Sequence, residues 1–303
     1  MPKANNVVVV YHGLLTDAKT LASDLSERFG SGTWRLLPAE PFTALDAGVE
    51  GCDLVLTIGG DGTILRGAHA AAPHAIPVLG INMGRVGFMA ELDASDALDE
   101  TGWYLDNWGV EDRGPRVEER AMVRASIAGS TEAPFHALND VVVGRGASIR
   151  VVDLDTVVDG QHIVTYRGDG LVISTATGST GYALALGGPV MDPSSEAFLL
   201  KPIAAHMSLQ GGLLLRAGAV VDITVDNELG AMLSVDGFVD RPLAVGTTVR
   251  VETSEYSARF LRRNPPAAYY ESLTRRLGMR QGAMTRVREE GDQRPGPGVS
   301  GGR

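Results

Sequence analysis

The first hundred residues alternate short apolar runs with amphipathic stretches, and this alternation constrains the fold more than any other feature. Residues 7–11 form a continuous apolar run bounded by a turn, which is typical of a parallel strand covered on both faces. Between Thr16 and Gly30, apolar side chains recur every three or four residues, which predicts an amphipathic helix. We expect further strands over residues 34–37, 53–58 and 77–81, and a helix over residues 64–71. The pattern predicts a doubly wound, parallel-sheet α/β domain in residues 1–110.

The pattern changes near residue 115, where short alternating strands begin to follow one another. We expect strands over residues 122–127, 140–143, 150–158, 163–166, 171–173, 220–225, 232–235 and 248–251. The dipeptides Asp159-Gly160 and Asp236-Gly237 are typical of hairpin turns. Residues 111–261 are therefore predicted to form a β-rich, sandwich-like domain, which a helix over residues 267–277 follows. Residues 281–303 are rich in charge, Gly and Pro, which predicts a disordered tail.

Composition narrows the classes of function. A formal net charge of −10 over 303 residues argues against a general nucleic-acid binder, which needs a basic surface. Cys52 is the single cysteine, which excludes an intramolecular disulfide and a cysteine-rich metal site. The histidines lack the spacing of metal ligands, so we expect no direct protein ligands to a metal. The first apolar run is too short for a membrane span or a signal segment, and we expect no membrane contact and a cytoplasmic location.

The segment Gly59-Gly60-Asp61-Gly62-Thr63 lies where a predicted strand passes into a predicted helix. Ligands of open α/β sheets bind at such strand ends, and a helix N-terminus presents free N–H groups to anions. Gly59, Gly60, Gly62 and Thr63 therefore form a candidate phosphate-donor loop. Asp61 cannot bind phosphate directly, but it can accept a proton from an attacking hydroxyl or hold Mg²⁺. The alternative is an ordinary glycine turn with a helix-capping aspartate.

A second glycine-rich segment runs from residue 168 to residue 182 and reads Gly-Asp-Gly-Leu-Val-Ile-Ser-Thr-Ala-Thr-Gly-Ser-Thr-Gly-Tyr. Many backbone and hydroxyl donors in a small volume favour a close-fitting polar ligand, although a Ser/Thr-rich surface loop is the alternative. Between the two segments, Asn139-Asp140 offers amide donors and a carboxylate, which suit a ribose diol or an adenine edge. By itself this pair is more often a turn.

Taken together, these motifs resemble those of NAD kinases in order and spacing. The shared motifs are Gly-Gly-Asp-Gly-Thr, then Asn with an acidic residue, then Asp-Gly followed by Thr-Gly-Ser-Thr and Gly-Gly-Pro. Residues 80–88 resemble the family's Gly-Ile-Asn-x-Gly-x-x-Gly-Phe segment, and Glu119-Arg120 its Glu-Arg strand start. Tyr270, Leu273 and the following Arg-Leu-Gly resemble its closing helix. The resemblance covers about residues 5–280.

The resemblance implies phosphorylation of the 2′-hydroxyl of the adenosine ribose of NAD, with ATP or polyphosphate as donor and Mg²⁺ as cofactor. It implies a homodimer or homotetramer, and a C-terminal segment, residues 262–280, that completes the N-terminal domain. Asp61 would be the general base. The NAD-binding positions would be Asp61, Gly62, Arg66, Asn139, Asp140, Arg150, Arg167, Asp169, Thr180, Gly181, Tyr182, Ala183, Leu184 and Ala185.

Four departures from the family pattern affect the second domain. Ala176 stands where the family usually has Pro, Gly181 where it has Ala, Gly211-Gly212 where it has Arg-Pro, and Phe238 where it often has Gln. A non-catalytic NAD(P) sensor on the same fold therefore stays open as an alternative. Lipid kinases share the Gly-Gly-Asp-Gly-Thr loop, but their Gly-Thr-x-Asn segment does not follow it here. The 6-phosphofructokinases have a similar loop, but their Thr-Ile-Asp-Asn-Asp segment is missing.

Overall fold

The structure, a computed structural model, describes residues 4–41, 43–84, 87–110, 114–146, 150–205, 211–228 and 230–277. The predicted tail, residues 281–303, and residues 278–280 of the closing segment lie outside the described residues. The chain divides into two compact units, Met1–Arg263 and Asn264–Arg303. No described helix is long and apolar enough to cross a membrane.

Parallel strands and helices alternate through the first part of the chain, as the apolar pattern predicts. The strands are β1 (Asn6–Tyr11), β2 (Thr33–Pro38), β3 (Leu54–Gly59), β4 (Pro77–Asn82) and the short β5 (Leu92–Asp93). The helices are α1 (Thr16–Phe29), α2 (Thr43–Val49), α3 (Asp61–Ala71) and α4 (Ala94–Asp106). The four longer strands lie side by side in the parallel order β4-β3-β1-β2. Helix α3 begins three residues before its predicted start, and α2 and α4 are not among the predicted elements.

Helices cover both faces of this parallel sheet. Successive side chains of a strand point to opposite faces, so β1 divides its valines between two cores. Val7 and Val9 belong to the core formed with α1 and α4, whereas Val8 and Val10 belong to the core formed with α2 and α3. Each of the four is at most 1% exposed, and full burial of such a side chain contributes roughly 1.5–3 kcal/mol. The doubly wound α/β prediction is confirmed.

The β-rich part is built from two sheets that pack face to face. Its elements are β6 (Arg116–Ile127), β7 (Phe135–Ala137), β8 (Asp140–Gly144), β9 (Val152–Val158), β10 (Gln161–Gly168), β11 (Gly170–Ser174), α5 (Tyr182–Ala185), β12 (Phe198–Ile203), β13 (Leu213–Leu215), β14 (Val221–Val225), β15 (Ala231–Val235), β16 (Val239–Leu243) and β17 (Thr248–Arg262). One sheet has the order β13-β12-β11-β8-β15-β16. Its inner face shares a core with β6, β9, β14 and β17, so the sandwich-like prediction is confirmed.

The long strand β17 connects the two kinds of sheet. Its first half pairs antiparallel with β14 and β6, and near its end Arg259 and Phe260 pair parallel with β4. The parallel strands therefore continue into antiparallel strands in one 11-stranded sheet. The predicted strand over residues 248–251 covers only the beginning of β17. The division into separate domains at residue 110, completed by residues 262–280, stays a prediction.

Two features of local structure agree with the sequence analysis. Asp159 and Gly160 both have positive φ, at 49° and 78°, as do Asp236 and Gly237, at 50° and 72°. Both dipeptides therefore make the primed hairpin turns predicted for them. In the second unit, helix α6 spans Ala268–Arg276, within one residue of its predicted bounds.

Candidate active site

Asp61 occupies the first position of α3, directly after β3 ends at Gly59. Its carboxylate accepts two backbone hydrogen bonds from the loop after β4: Oδ2 from Phe88 at 3.0 Å and Oδ1 from Met89 at 3.3 Å. Gly60, not Asp61, is the N-cap residue of α3. The partly exposed carboxylate is therefore held across the carboxyl ends of two adjacent parallel strands, and the helix-capping alternative is wrong.

The glycines around Asp61 have different roles. A Cβ on Gly87 would overlap the Asp61 carboxylate, and a Cβ on Gly59 would overlap the Thr63 side chain. A Cβ on Gly60 or on Gly62 would meet no described atom within 4 Å outside its own neighbours. Packing therefore requires glycine at 59 and 87, while the backbone at 60 and 62 faces open space that a ligand can approach.

Thr63, the last residue of the predicted donor loop, has a buried hydroxyl in the first turn of α3. Its side chain is 2% exposed, and Oγ1 has no hydrogen-bond partner among the described atoms. Unsatisfied buried hydroxyls cost roughly 1–3 kcal/mol. A polar group in this position is what a site for an additional ligand would use.

Asn139 and Asp140 lie at the start of β8, and Asp236 holds them there. Asp236 accepts the backbone N–H groups of Leu138, Asn139 and Asp140 at 2.8, 2.8 and 2.9 Å. Burial raises the pKa of Asp236 to about 7, although these three N–H groups lower it, and burial raises the pKa of Asp140 to about 6. The pair is thus not an ordinary turn but the start of a strand, fixed by a distant carboxylate.

Asp236 was not among the predicted site residues. Its only signal in the sequence is the Asp-Gly turn, which predicts a hairpin but not a partner about a hundred residues earlier. The positive φ of Asp236 turns its side chain back toward the start of β8, and only the pairing of β15 with β8 brings the two together.

The Ser/Thr-rich loop after β11 is buried, so the surface-loop alternative is wrong. Thr175 Oγ1 donates to the Leu138 carbonyl at 2.5 Å, and Ser179 Oγ donates to the Ala176 carbonyl at 2.6 Å. A Cβ on Gly178 would overlap the Asn139 carbonyl. The loop therefore packs directly against Asn139. Three of its hydroxyls donate within the protein, the third being Thr180 Oγ1, which donates to the Thr177 carbonyl at 3.2 Å. Thr177 Oγ1, in a side chain 6% exposed, lacks a partner in the part of the chain that the structure describes.

The predicted NAD-binding run from Thr180 to Ala185 forms the end of this loop and the single turn α5. Gly181, Tyr182 and Ala185 are exposed, whereas Ala183 is fully buried. Ala183 packs with Ala176, one of the departures from the family pattern, in a small core. Tyr182 and the backbone of the run can therefore face a ligand, but the Ala183 side chain cannot.

Helix α3 links Asp61 to this second cluster. Near its end, His69 Nε2–H donates to the His136 carbonyl at 2.6 Å, two residues before Leu138. The His69 ring also makes an edge contact with Phe238, with centroids 5.4 Å apart. Phe238, which stands where the family often has Gln, thus packs against helix α3. Helix α3 therefore carries Asp61 at its first position. Near its last position it contacts, through His69, the Asn139 segment, which comprises residues 136–140.

The remaining predicted residues lie elsewhere. Arg66, on α3, pairs with Glu40 at 2.9 Å. Asp169 pairs with Arg145 at 3.0 Å, and the exposed Arg167 lies 3.8 Å from Asp153; Arg150 is also exposed. Because Gly170 pairs with Gly144 and Ser174 with Asp140, Asp169, one residue before Gly170, lies about 17 Å along the sheet from Asp140, at roughly 3.4 Å per residue. The structure does not bring Asp169 to the Asp140 end.

Within the described ranges, no three His, Cys, Asp or Glu side chains are grouped so that they could hold a metal ion. Asp61 is therefore not part of such a group of three among the described residues. A metal at this position would need further oxygen ligands from a bound molecule.

Comparisons with known proteins agree with this arrangement. A family model described as the ATP-NAD kinase N-terminal domain matches residues 15–101, and one described as the ATP-NAD kinase C-terminal domain matches residues 138–263. The chain is 36% identical to an NAD kinase of Dehalococcoides mccartyi over 282 residues, which is 89% of this chain and 94% of that protein. It is 37% identical to an NAD kinase of Chloroflexus aurantiacus over 277 residues, 89% of this chain and 98% of that one.

Two solved structures share the fold. A yeast NADH kinase complexed with NADH superposes with a TM-score of 0.78 at 22% identity, covering 93% of this chain and 90% of that one. An NAD kinase from Archaeoglobus fulgidus in complex with ATP superposes with a TM-score of 0.70 at 24% identity, covering 90% and 98%.

Proposed function

The chain belongs to the NAD kinase family, and we propose that Asp61 is the general base of its reaction. The enzyme is a phosphotransferase that phosphorylates the 2′-hydroxyl of the adenosine ribose of NAD to give NADP. Relatives named NAD kinase along nearly their whole length support neither the sensor nor the lipid kinase alternative.

The position of Asp61 supports this role. The 2′-hydroxyl is a weak nucleophile and a carboxylate is a weak base, so the reaction depends on holding both in line with the donor. The proton of the 2′-hydroxyl passes to Asp61 as its oxygen bonds to the terminal phosphorus of the donor, and the bond from that phosphorus to the leaving phosphate oxygen breaks. The two backbone hydrogen bonds from Phe88 and Met89 restrict the carboxylate to one orientation, and this observation carries the proposal.

We propose that the donor phosphates lie against the N-terminus of α3. The open backbone at Gly60 and Gly62, the unsatisfied Thr63 hydroxyl and the positive end of the helix dipole all suit an anion. Each Asp61 oxygen accepts only one of the two bonds described, so lone pairs remain for Mg²⁺, which commonly takes one carboxylate together with substrate phosphates. Bound there, Mg²⁺ would neutralise phosphate charge.

We propose that NAD lies between Asp61 and the Asn139 segment. Asn139, Asp140 and the exposed part of residues 180–185 would contact the adenosine half, next to Gly62 and Arg66. Asp169 lies several residues along the sheet from Asp140, and Arg150 and Arg167 are exposed, so a neighbouring subunit could use all three. We therefore propose a homodimer or homotetramer in which these residues contact the NAD of a neighbouring subunit.

Mixing two inactive variants tests this arrangement. If Asp61→Asn and Asp169→Ala subunits are each inactive, refolding them together should restore part of the activity, because some sites then combine an intact Asp61 with an intact Asp169. No recovery in mixed oligomers would contradict the shared site while leaving the role of Asp61 untouched.

The function itself is tested with the purified chain, NAD, Mg²⁺ and either ATP or polyphosphate, with NADP detected by an NADP-specific dehydrogenase. We expect NADP with ATP; polyphosphate is tested in parallel as a second donor. NAD binding without turnover with either donor would instead favour the sensor. We also propose a cytoplasmic location, in which the free, buried Cys52 thiol suits a reducing environment.

A further inference from the structure

The backbone of Met89 is held from two sides. Its N–H donates to Asp61 Oδ1 at 3.3 Å, and its carbonyl oxygen accepts Arg262 Nη2 at 3.0 Å. Arg262 is the last residue of β17, so the end of this strand reaches the loop that orients Asp61. The two bonds lie on the two peptide groups that flank the Met89 Cα, so Arg262 fixes the position from which the Met89 N–H reaches the Asp61 carboxylate.

Arg262 is itself rigidly placed. It is 7% exposed, its Nη1 lies 3.4 Å from Glu91 Oε2, and its Nε donates to Glu118 Oε1 at 3.2 Å. Its guanidinium carbon lies 5.1 Å from the centroid of the Phe260 ring. Only the planar fork of arginine can address a carbonyl and two carboxylates in three directions at once.

The two carboxylates are fixed in turn. Glu91 Oε1 accepts Tyr104 Oη at 2.9 Å and the Arg263 N–H at 2.8 Å. Glu118 also pairs with Arg120 at 2.9 Å. Burial alone would raise the pKa of Glu118, but the guanidinium groups of Arg262 and Arg120 outweigh it and lower that pKa to about 2. Glu118 is therefore charged at neutral pH and bonded to both arginines.

We propose that Arg262 is a positioning residue for phosphoryl transfer: it fixes the backbone of Met89, whose N–H in turn orients the Asp61 carboxylate. The inference rests on the proposed role of Asp61 as base. Arg262 bonds to the Met89 carbonyl and not to Asp61 itself, so it acts through the Met89 backbone. A purely structural arginine would contribute to stability without affecting the chemical step.

The test compares Arg262→Lys with Arg120→Lys, a matched control. Arg120 is equally buried, pairs with the same Glu118 and lies at the same 5.1 Å from the Phe260 ring. We expect Arg262→Lys to lower kcat about tenfold or more at nearly unchanged KM for NAD and ATP, by the loss of orientation. Arg120→Lys should lower the melting temperature similarly but keep kcat within about twofold of wild type.

Equal loss of kcat in both variants, or an unchanged kcat in Arg262→Lys, would overturn the proposal. If Arg262→Lys does not fold, the charge-neutral pair Arg262→Gln with Glu91→Gln replaces it, with the same expectation for kcat. The turnover of the single variant Asp61→Asn distinguishes the proposal for Arg262 from the proposal that Asp61 is the base. An inactive Asp61→Asn with a normal Arg262→Lys refutes only the role of Arg262, whereas an active Asp61→Asn refutes the proposed base.

Discussion

The carboxylate of Asp61 accepts the backbone N–H of Phe88 at 3.0 Å, across 27 residues of chain. Asp61 follows β3 and Phe88 follows β4, and these two strands are parallel neighbours. Their carboxyl ends therefore meet at one edge of the sheet, where ligands of α/β folds bind. The orientation of the proposed base is thus set by a neighbouring loop rather than by its own helix.

The contact between Gly87 and Asp61 predicts a sensitive position. In Gly87→Ala, the new Cβ would overlap the Asp61 carboxylate, so we expect kcat to fall about a hundredfold, as for a displacement of about 1 Å at a reacting group, with little change in NAD affinity. Gly84→Ala is the control, because a Cβ there meets none of the described atoms within 4 Å. Near-normal kcat in Gly87→Ala, or equal losses in both variants, would show that the carboxylate is not held as described.

The hydroxyl of Thr63 predicts opposite effects on stability and on donor binding. Thr63→Val removes a buried, unpaired polar atom, so the free energy of unfolding without ligand should rise by about 1 kcal/mol, while the KM for ATP should rise severalfold. Thr101→Val is the control, since Thr101 on α4 is also fully buried with an unpaired hydroxyl. It should gain stability without any change in KM. An unchanged KM for ATP in Thr63→Val would exclude this hydroxyl from the donor site.

The three N–H groups that Asp236 accepts predict a role in NAD binding. In Asp236→Asn, one oxygen and one NH₂ group cannot accept the bonds that two carboxylate oxygens now accept, so the start of β8 should shift. We expect the KM for NAD to rise about tenfold, equivalent to about 1.4 kcal/mol, with a smaller effect on kcat. Asp159→Asn, in the other Asp-Gly turn, is the control and should leave KM unchanged. A wild-type KM in Asp236→Asn would separate the Asn139 segment from NAD binding.

The low pKa of Glu118 predicts acid sensitivity. A carboxylate with a pKa of about 2 in the folded chain and about 4.5 when unfolded stabilises the fold above pH 4.5, and this contribution is lost as the pH falls through 2. Between pH 4.5 and pH 2, the free energy of unfolding of Glu118→Gln should fall by up to about 3 kcal/mol less than that of wild type. Denaturant titration at each pH measures this difference. Glu119→Gln, whose exposed carboxylate pairs with Arg259, should keep the wild-type profile. Parallel profiles for Glu118→Gln and wild type would contradict the assignment.

The loop that carries Asp61 could be predicted from residues that are neighbours in the sequence. The apolar run before Gly59 and the glycines around Asp61 placed the loop at a strand end, because buried strands and glycine turns leave signals in adjacent residues. Helix α4 was missed although its buried residues, Ala97, Thr101, Tyr104 and Leu105, follow helical spacing. The helical spacing of these four residues is therefore a local signal for α4.

The contacts that orient the site could not be predicted in the same way. Asp236 and Arg262 reach their partners through strand pairings between distant parts of the chain, and no local pattern encodes which strands become neighbours. The same holds for the buried state of the Thr175–Ser179 loop, since Ser and Thr are usually exposed and become buried here by packing against Asn139. The roles of Arg150, Arg167 and Asp169 stay predictions.

The central claim is that Asp61 takes the proton from the 2′-hydroxyl of NAD. The most direct measurement is turnover and NAD binding of purified Asp61→Asn, with NADP formation followed at saturating NAD and ATP and NAD affinity measured by calorimetry. Asparagine keeps the size of the side chain and an oxygen for the Phe88 N–H, but it cannot accept the proton. We expect turnover to fall by at least about a hundredfold, while the Kd for NAD stays within a few-fold of wild type. Near-normal NADP formation by Asp61→Asn would contradict it.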